Sequence, residues 1–184
     1  QYSREQAIFG TATPFYGWHY PPYFLGLAAL LAAMPYAMAL ALWQGVTFAL
    51  YLWVTRAILN TGRARALADP LWLPLVIGFP AVFVNLGHGH NGFLTAALFG
   101  AALLQLDRKP ILAGVLFGCI AYKPQFGLLV PIVLAASGRW RAFIAAATTV
   151  AVLTIAVTLA FGLDIWSAFL ASTRFHTPVA ACTP

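Results

Sequence analysis

The side chains able to do chemistry in this chain fall into a few short polar clusters set between long apolar runs. Asn85-Leu86-Gly87-His88-Gly89-His90-Asn91 brings two carboxamides and two imidazoles within one short stretch, and Lys123-Pro124-Gln125 places a cation beside a further carboxamide. A carboxamide donates and accepts at once, which suits hydroxyl-rich ligands, whereas imidazole and ammonium groups suit phosphate oxygens or a hydroxyl that must be oriented. A third cluster, Phe15-Tyr16-Gly17-Trp18-His19-Tyr20-Pro21-Pro22-Tyr23-Phe24, is rich in aromatics. Such residues anchor a chain at a membrane interface and also stack on sugar rings or isoprenoid chains. The substrate-binding candidates are therefore His19, Tyr20, Asn85, His88, His90, Asn91, Lys123 and Gln125.

The segments that must position these clusters read as membrane-embedded. Residues 70–86 and 92–106 contain no ionisable side chain and form two arms meeting at the 85–91 apex. As helices they reach about 25 Å and about 22 Å, against a hydrocarbon core of about 30 Å, so the apex lies at or below the membrane surface. Non-helical backbone at that depth needs protein or a water-filled cavity to satisfy it, and a cavity is implied. The plainer reading of the same residues is a hairpin turn, with glycines for geometry and Asn for turn bonds.

Residues 111–121 and 126–136 form a second, shorter hairpin around Tyr122-Lys123-Pro124-Gln125. Each arm reaches about 16 Å, which puts Lys123 below the interface, where an uncompensated lysine costs roughly 2.5 to 3.5 kcal/mol. The acids expected on that face are Glu5 and Asp164, so an anionic ligand such as a phosphate headgroup is a natural partner. Snorkelling to lipid phosphates is the plainer role. Pro124 is expected to break the helix there.

Composition agrees with this placement. Hydrophobic residues make up 62% of the chain and charged ones 8%, and the mean hydropathy is +0.85, values of an integral membrane protein. The net charge of +6 does not signal nucleic acid, because the cations fall in short loops between apolar runs; the bilayer is the expected partner. Arg56, Arg63, Arg65, Arg108, Lys109, Arg139 and Arg141 share one side if the loops alternate, leaving Arg4, Lys123 and Arg174 on the other. The first side is then cytoplasmic and the second external, in a multi-pass protein of the plasma (inner) membrane. All four histidines, His19, His88, His90 and His176, fall on the external side. Cys119 and Cys182 show neither metal spacing nor a persuasive disulfide.

The expected architecture is all-α: a single polytopic transmembrane helical bundle over residues 1–184 with broken or re-entrant short helices. Residues 1–23 form an external loop and interfacial segment, 24–163 the membrane helices, and 164–184 an external segment. Residues 24–34 make a half-helix ended by Pro35, and 36–59 and 142–163 make full crossings. Pro74 and Pro80 should kink the first arm of the long hairpin, Gly138-Arg139-Trp140-Arg141 is a basic loop, and 164–171 is a short surface helix. Neither Gln1 nor Pro184 looks like a natural terminus, so the chain is expected to be a fragment.

Two functional classes are compatible with these features. External histidines could build a metal site in a transporter or sensor, and broken helices at cavities are a transporter feature. His88 and His90 share a side of an extended segment but stand about 200° apart on a helix, and no carboxylate or cysteine supports them at ligand spacing. The two short hairpins also run in the same sense and not as inverted repeats.

The other class comes from a resemblance. The ordered motifs Tyr20-Pro21-Pro22, Met34-Pro35-Tyr36, Asn85 to Asn91, Lys123-Pro124-Gln125 and Gly138-Arg139-Trp140-Arg141 resemble glycosyltransferase family 87 over nearly the whole chain. The resemblance implies a GT-C-like membrane enzyme that moves a hexose, as mannose, from a polyprenyl-phosphate sugar to an external lipid or glycan acceptor. The lipid-linked sugar is a substrate, and no cofactor or metal is expected. The resemblance further implies inversion at the sugar carbon, with a carboxylate of the first external loop activating the acceptor. That loop precedes Tyr20-Pro21-Pro22, so the base is expected upstream of Gln1, and nothing around Glu5 marks it for the role. The family often carries Gln where this chain has His90.

Overall fold

The computed structural model describes residues 20–61 and 70–174. Arg4, Glu5, His19, Arg63, Arg65, His176 and Cys182 lie outside them. Among the described residues all regular structure is helical: α1 (Phe24–Ala32), α2 (Tyr36–Leu59), α3 (Trp72–Ile77), α4 (Pro80–His88), α5 (Gly92–Gln105), α6 (Pro110–Cys119), a 3-10 turn (Ile120–Tyr122), α7 (Pro124–Ala136), α8 (Trp140–Phe161) and α9 (Asp164–Arg174). α2 and α8 are long and apolar enough to cross a membrane. Their apolar side chains face outward, as with Trp53 (66% exposed) and Leu159 (82%), which suits lipid and would be costly in water.

Prolines punctuate the chain. Pro80, Pro110 and Pro124 each sit at a helix start, where a missing N–H costs nothing. The expected single arm over 70–86 is thus two helices, α3 and α4, parted at Gly78-Phe79, while Pro74 stands in the first turn of α3 without breaking it. Asn85 to His88 form the last turn of α4 and not part of a loop, so the apex shrinks to Gly89-His90-Asn91. Trp140 and Arg141 begin α8, which shortens the expected basic loop to Gly138-Arg139.

Close approach fixes which helices run together. A Cβ at Gly100 of α5 would come within 2.6 Å of Val54 Cγ1, and one at Gly89 within 3.2 Å of Leu40 Cδ1, so α2 and α5 are parallel. In α6, Gly114-Val115-Leu116-Phe117-Gly118 is a GxxxG repeat that lets α8 approach backbone to backbone. Cβ atoms there would collide with Ala142, Ala145, Ala146 and Thr149, so α6 and α8 are also parallel. α5 and α6 run antiparallel over a core of Ala102, Phe117, Ile120, Leu134, Ala142 and Ala146.

These directions gather Arg56, Arg108, Lys109, Arg139 and Arg141 at one end, where Arg139 pairs with Asp107 at 2.6 Å. The opposite end is stepped. Gly118 lies level with Thr149, and α8 runs about 18 Å further to Phe161, whereas the α6–α7 turn comes only four residues after Gly118. α2 likewise begins about 12 Å beyond Gln44, whose side chain meets the α4–α5 apex. Both turns are therefore recessed by about 10 Å below the far ends of the long helices.

Candidate functional site

The α4–α5 apex closes because Gly89 adopts the left-handed conformation, φ 62° and ψ 27°, which only glycine takes without strain. The carbonyls left open at the end of α4 find donors in α2: Gln44 Nε2 donates to Leu86 O at 2.7 Å and Trp43 Nε1 to Gly89 O at 3.2 Å. Those bonds keep irregular backbone tolerable at this depth. Asn85 locks the turn from below, its backbone O accepting the His90 N–H (3.1 Å) and its Oδ1 the Gly92 N–H (3.0 Å). This is the turn-bond role that a plain hairpin requires. Its Nδ2 is buried with no partner among the described residues, and because Oδ1 must accept, the amide cannot flip to cure this.

Above the apex lies a cavity of about 330 Å³ lined by Tyr20, Phe24, Leu27, Ala28, Leu31, Trp43, Gly89, His90 and Asn91. Phe24, Leu27, Ala28 and Leu31 recur at helical spacing and put one face of α1 on the cavity, Tyr20 comes from the segment before α1, Trp43 from α2, and the rest from the apex. The wall is apolar and aromatic, and the polar edge is Tyr20, His90 and Asn91. A concave apolar site with a few converging polar groups is what a small-molecule subsite needs.

The second turn is fastened to this cavity. Tyr122 is buried; its ring stands 4.8 Å from Phe24 and 6.2 Å from Tyr20, and its hydroxyl 2.8 Å from Thr95 Oγ1. Tyr23 OH donates to the Ala121 carbonyl. Lys123 follows in extended backbone, φ −103° and ψ 106°, and Pro124 then opens α7, so the break expected at that proline is present.

The structure thus brings Tyr20, His90 and Asn91 into one cavity. Asn85 lies beneath it, and Lys123 is half-buried one residue beyond the ring stack. Gln125 is exposed in the first turn of α7 and does not line the cavity. His88 is exposed too, its Nδ1 2.9 Å from Val84 O and its ring stacked on His90 at 5.4 Å and 20°. The left-handed Gly89 between them brings together two rings that a continuous helix would hold apart. Among the described residues no third His, Cys, Asp or Glu joins them.

The sequence pattern of glycosyltransferase family 87 matches residues 18–181, which takes in the cavity, both turns and α9. The chain belongs to that family. No curated protein and no solved structure matches it. Family 87 membership makes this a membrane glycosyltransferase and decides between the transferase and transporter readings. Trp43, which lines the cavity, and Gln44, Thr95 and Tyr122, which bond or pack against its turns, are residues that the sequence pattern did not single out as candidates. The signals available were the Trp43-Gln44 pair inside an apolar crossing and the helical period from Tyr20 to Leu31.

Proposed function

We propose that this glycosyltransferase moves a hexose, as mannose, from a polyprenyl-phosphate sugar to a lipid or glycan acceptor on the outer face of the plasma membrane, in a polytopic GT-C-like bundle. The observation that carries the reading is the recessed aromatic cavity with Tyr20, His90 and Asn91 on its edge, tied through Tyr122 to the turn bearing Lys123. A lipid-linked phosphate brings an anion to that depth while its isoprenoid tail stays in the bilayer, which answers the cost of holding Lys123 there. The cations gathered at the opposite end support an outward-facing site.

In the reaction the acceptor oxygen attacks the anomeric carbon as the carbon–oxygen bond to phosphate breaks, and the electron pair leaves on the polyprenyl phosphate. The acceptor proton passes to the carboxylate of the first external loop that the resemblance implies upstream of Gln1. The Lys123 ammonium stabilises the charge that grows on the departing phosphate, and Asn91 and His90 hydrogen-bond the donor from the cavity edge. The test is transfer from a radiolabelled polyprenyl-phosphate hexose by the whole protein in membranes, at matched abundance. Lys123→Met should lose at least about 30-fold in kcat/KM, about 2 kcal/mol, with Lys123→Arg intermediate. Equal efficiency for Lys123→Met would return that residue to a snorkelling anchor.

A further inference from the structure

We propose that Tyr122 is a positioning residue, whose hydroxyl, through Thr95, sets Lys123 in register with the cavity. The inference rests on the role given above to Lys123. Its geometry is a chain of hydrogen bonds between the two recessed turns. Thr95 Oγ1 donates its one hydrogen to the Asn91 carbonyl at 2.9 Å, so in the 2.8 Å contact with Tyr122 the threonine accepts and the tyrosine donates. The chain therefore runs in one direction, from the Tyr122 hydroxyl through Thr95 to Asn91, and Asn91 is on the cavity edge. Both hydroxyl-bearing residues are buried, Tyr122 at 3% and Thr95 at 8% exposure, so no water competes for the bond.

Lys123 is an extended residue between a 3-10 turn and a helix that starts on proline, and the Tyr122–Thr95 bond ties that turn to the helix that follows the other apex. The Lys123 N–H donates to the Ile120 carbonyl at 2.9 Å and its carbonyl accepts from the Phe126 N–H at 3.0 Å, so Lys123 moves as one body with the 3-10 turn that Tyr122 ends. Phe24 and Tyr20 meet the ring of Tyr122 from the cavity side and the Tyr23 hydroxyl holds the preceding carbonyl, and to these the hydroxyl bond to Thr95 adds a directional restraint against a slide of this turn relative to the first apex. A lysine that must meet phosphate oxygens in the transition state is sensitive to such a slide, since displacements of about 1 Å in a reacting assembly can cost about a hundredfold in rate.

The proposal separates cleanly from a packing role. Tyr122→Phe keeps the ring and its aromatic neighbours and removes only the bond, and Thr95→Val removes the same bond from the other side. In the whole protein, with the polyprenyl-phosphate hexose as probe, each should lower kcat about tenfold or more while donor KM stays within about threefold, since the loss is confined to the transition state. Thr95→Ser, which keeps the hydroxyl, should restore kcat. In a Lys123→Met background, Tyr122→Phe should cost nothing further, because its effect passes through the ammonium group. If Lys123→Met is impaired but Tyr122→Phe and Thr95→Val turn over normally, or their losses multiply with that of Lys123→Met, the positioning role is wrong and the phosphate role of Lys123 stands. If Lys123→Met itself is fully active, both fall together. Unfolding temperature and membrane abundance are measured for each variant, and should either tyrosine or threonine variant fail to fold, the other decides.

Discussion

Asn85 Oδ1 accepts the Gly92 N–H at 3.0 Å and fills the space in which a side chain at position 92 would begin. Glycine is required there by its neighbour and not by its own dihedrals, which are ordinary. Gly92→Ala should therefore destabilise by about 1 to 3 kcal/mol through overpacking, read as a lower unfolding temperature in detergent. Combining it with Asn85→Ala removes the colliding oxygen, so the double variant should lose less than the sum of the two single ones. Strict additivity would show that the collision is relieved elsewhere.

The same logic ranks the other glycines. A Cβ at Gly118 would stand 2.6 Å from Thr149 Cβ and 2.8 Å from the Ala146 carbonyl, whereas Gly26 and Gly45 face open space. Gly118→Val should part α6 from α8, lowering both folded yield and unfolding temperature. Gly45→Ala should be neutral or stabilising by up to about 1 kcal/mol, because alanine is the better helix former. A destabilised Gly45→Ala would reveal a neighbour on the outer face of α2.

The ion pair between Arg139 and Asp107 lies at the basic end, and exposed pairs contribute only about 0 to 1 kcal/mol, so its value is in showing which loops share a side. With Cys119 and Cys182 replaced, a cysteine at Thr61 or Ser137 should resist an impermeant thiol reagent applied outside intact cells. One at Leu163, beyond the far end of α8, should react. Labelling at Ser137 from outside would invert the orientation.

How far the chain could be read beforehand varies with the kind of force involved. Tyr36–Leu59 matches the expected crossing because Pro35 cannot continue a helix and the apolar run after it has only one length. The short arms around Lys123 were also legible, since arm length is arithmetic, whereas the arm before the first apex was not, being parted at Gly78-Phe79. The fate of Asn85 to His88 was not: whether a helix runs on into Gly-His-Gly depends on Gly89 turning left-handed, and on α2 supplying Trp43 and Gln44 to the carbonyls so exposed. Those donors lie more than forty positions away in sequence. Asn85 illustrates the limit most sharply. Its residue type is equally good for binding a sugar and for closing a turn, and only the bond to Gly92 shows that it does the second.

His90 is where the cavity and the family pattern make opposing demands. Its imidazole lines the cavity and stacks on His88 at 5.4 Å, whereas the resemblance to family 87 implies Gln at this position in many members. Glutamine reaches a similar distance and offers both a donor and an acceptor, but it cannot take a proton. If His90 acts as a hydrogen-bonding group toward the donor, His90→Gln should keep transfer within about threefold of wild type. His90→Ala should lose about tenfold, or about 1.4 kcal/mol, because the cavity edge then loses one of its three polar groups. His88→Ala, which removes only the stacking partner outside the cavity, should cost less than His90→Ala. Steady-state transfer by the four proteins separates these outcomes. A proton-transfer role would show as His90→Gln falling as far as His90→Ala. A stoichiometric divalent metal in wild type that is lost from His88→Ala would revive the metal-binding alternative.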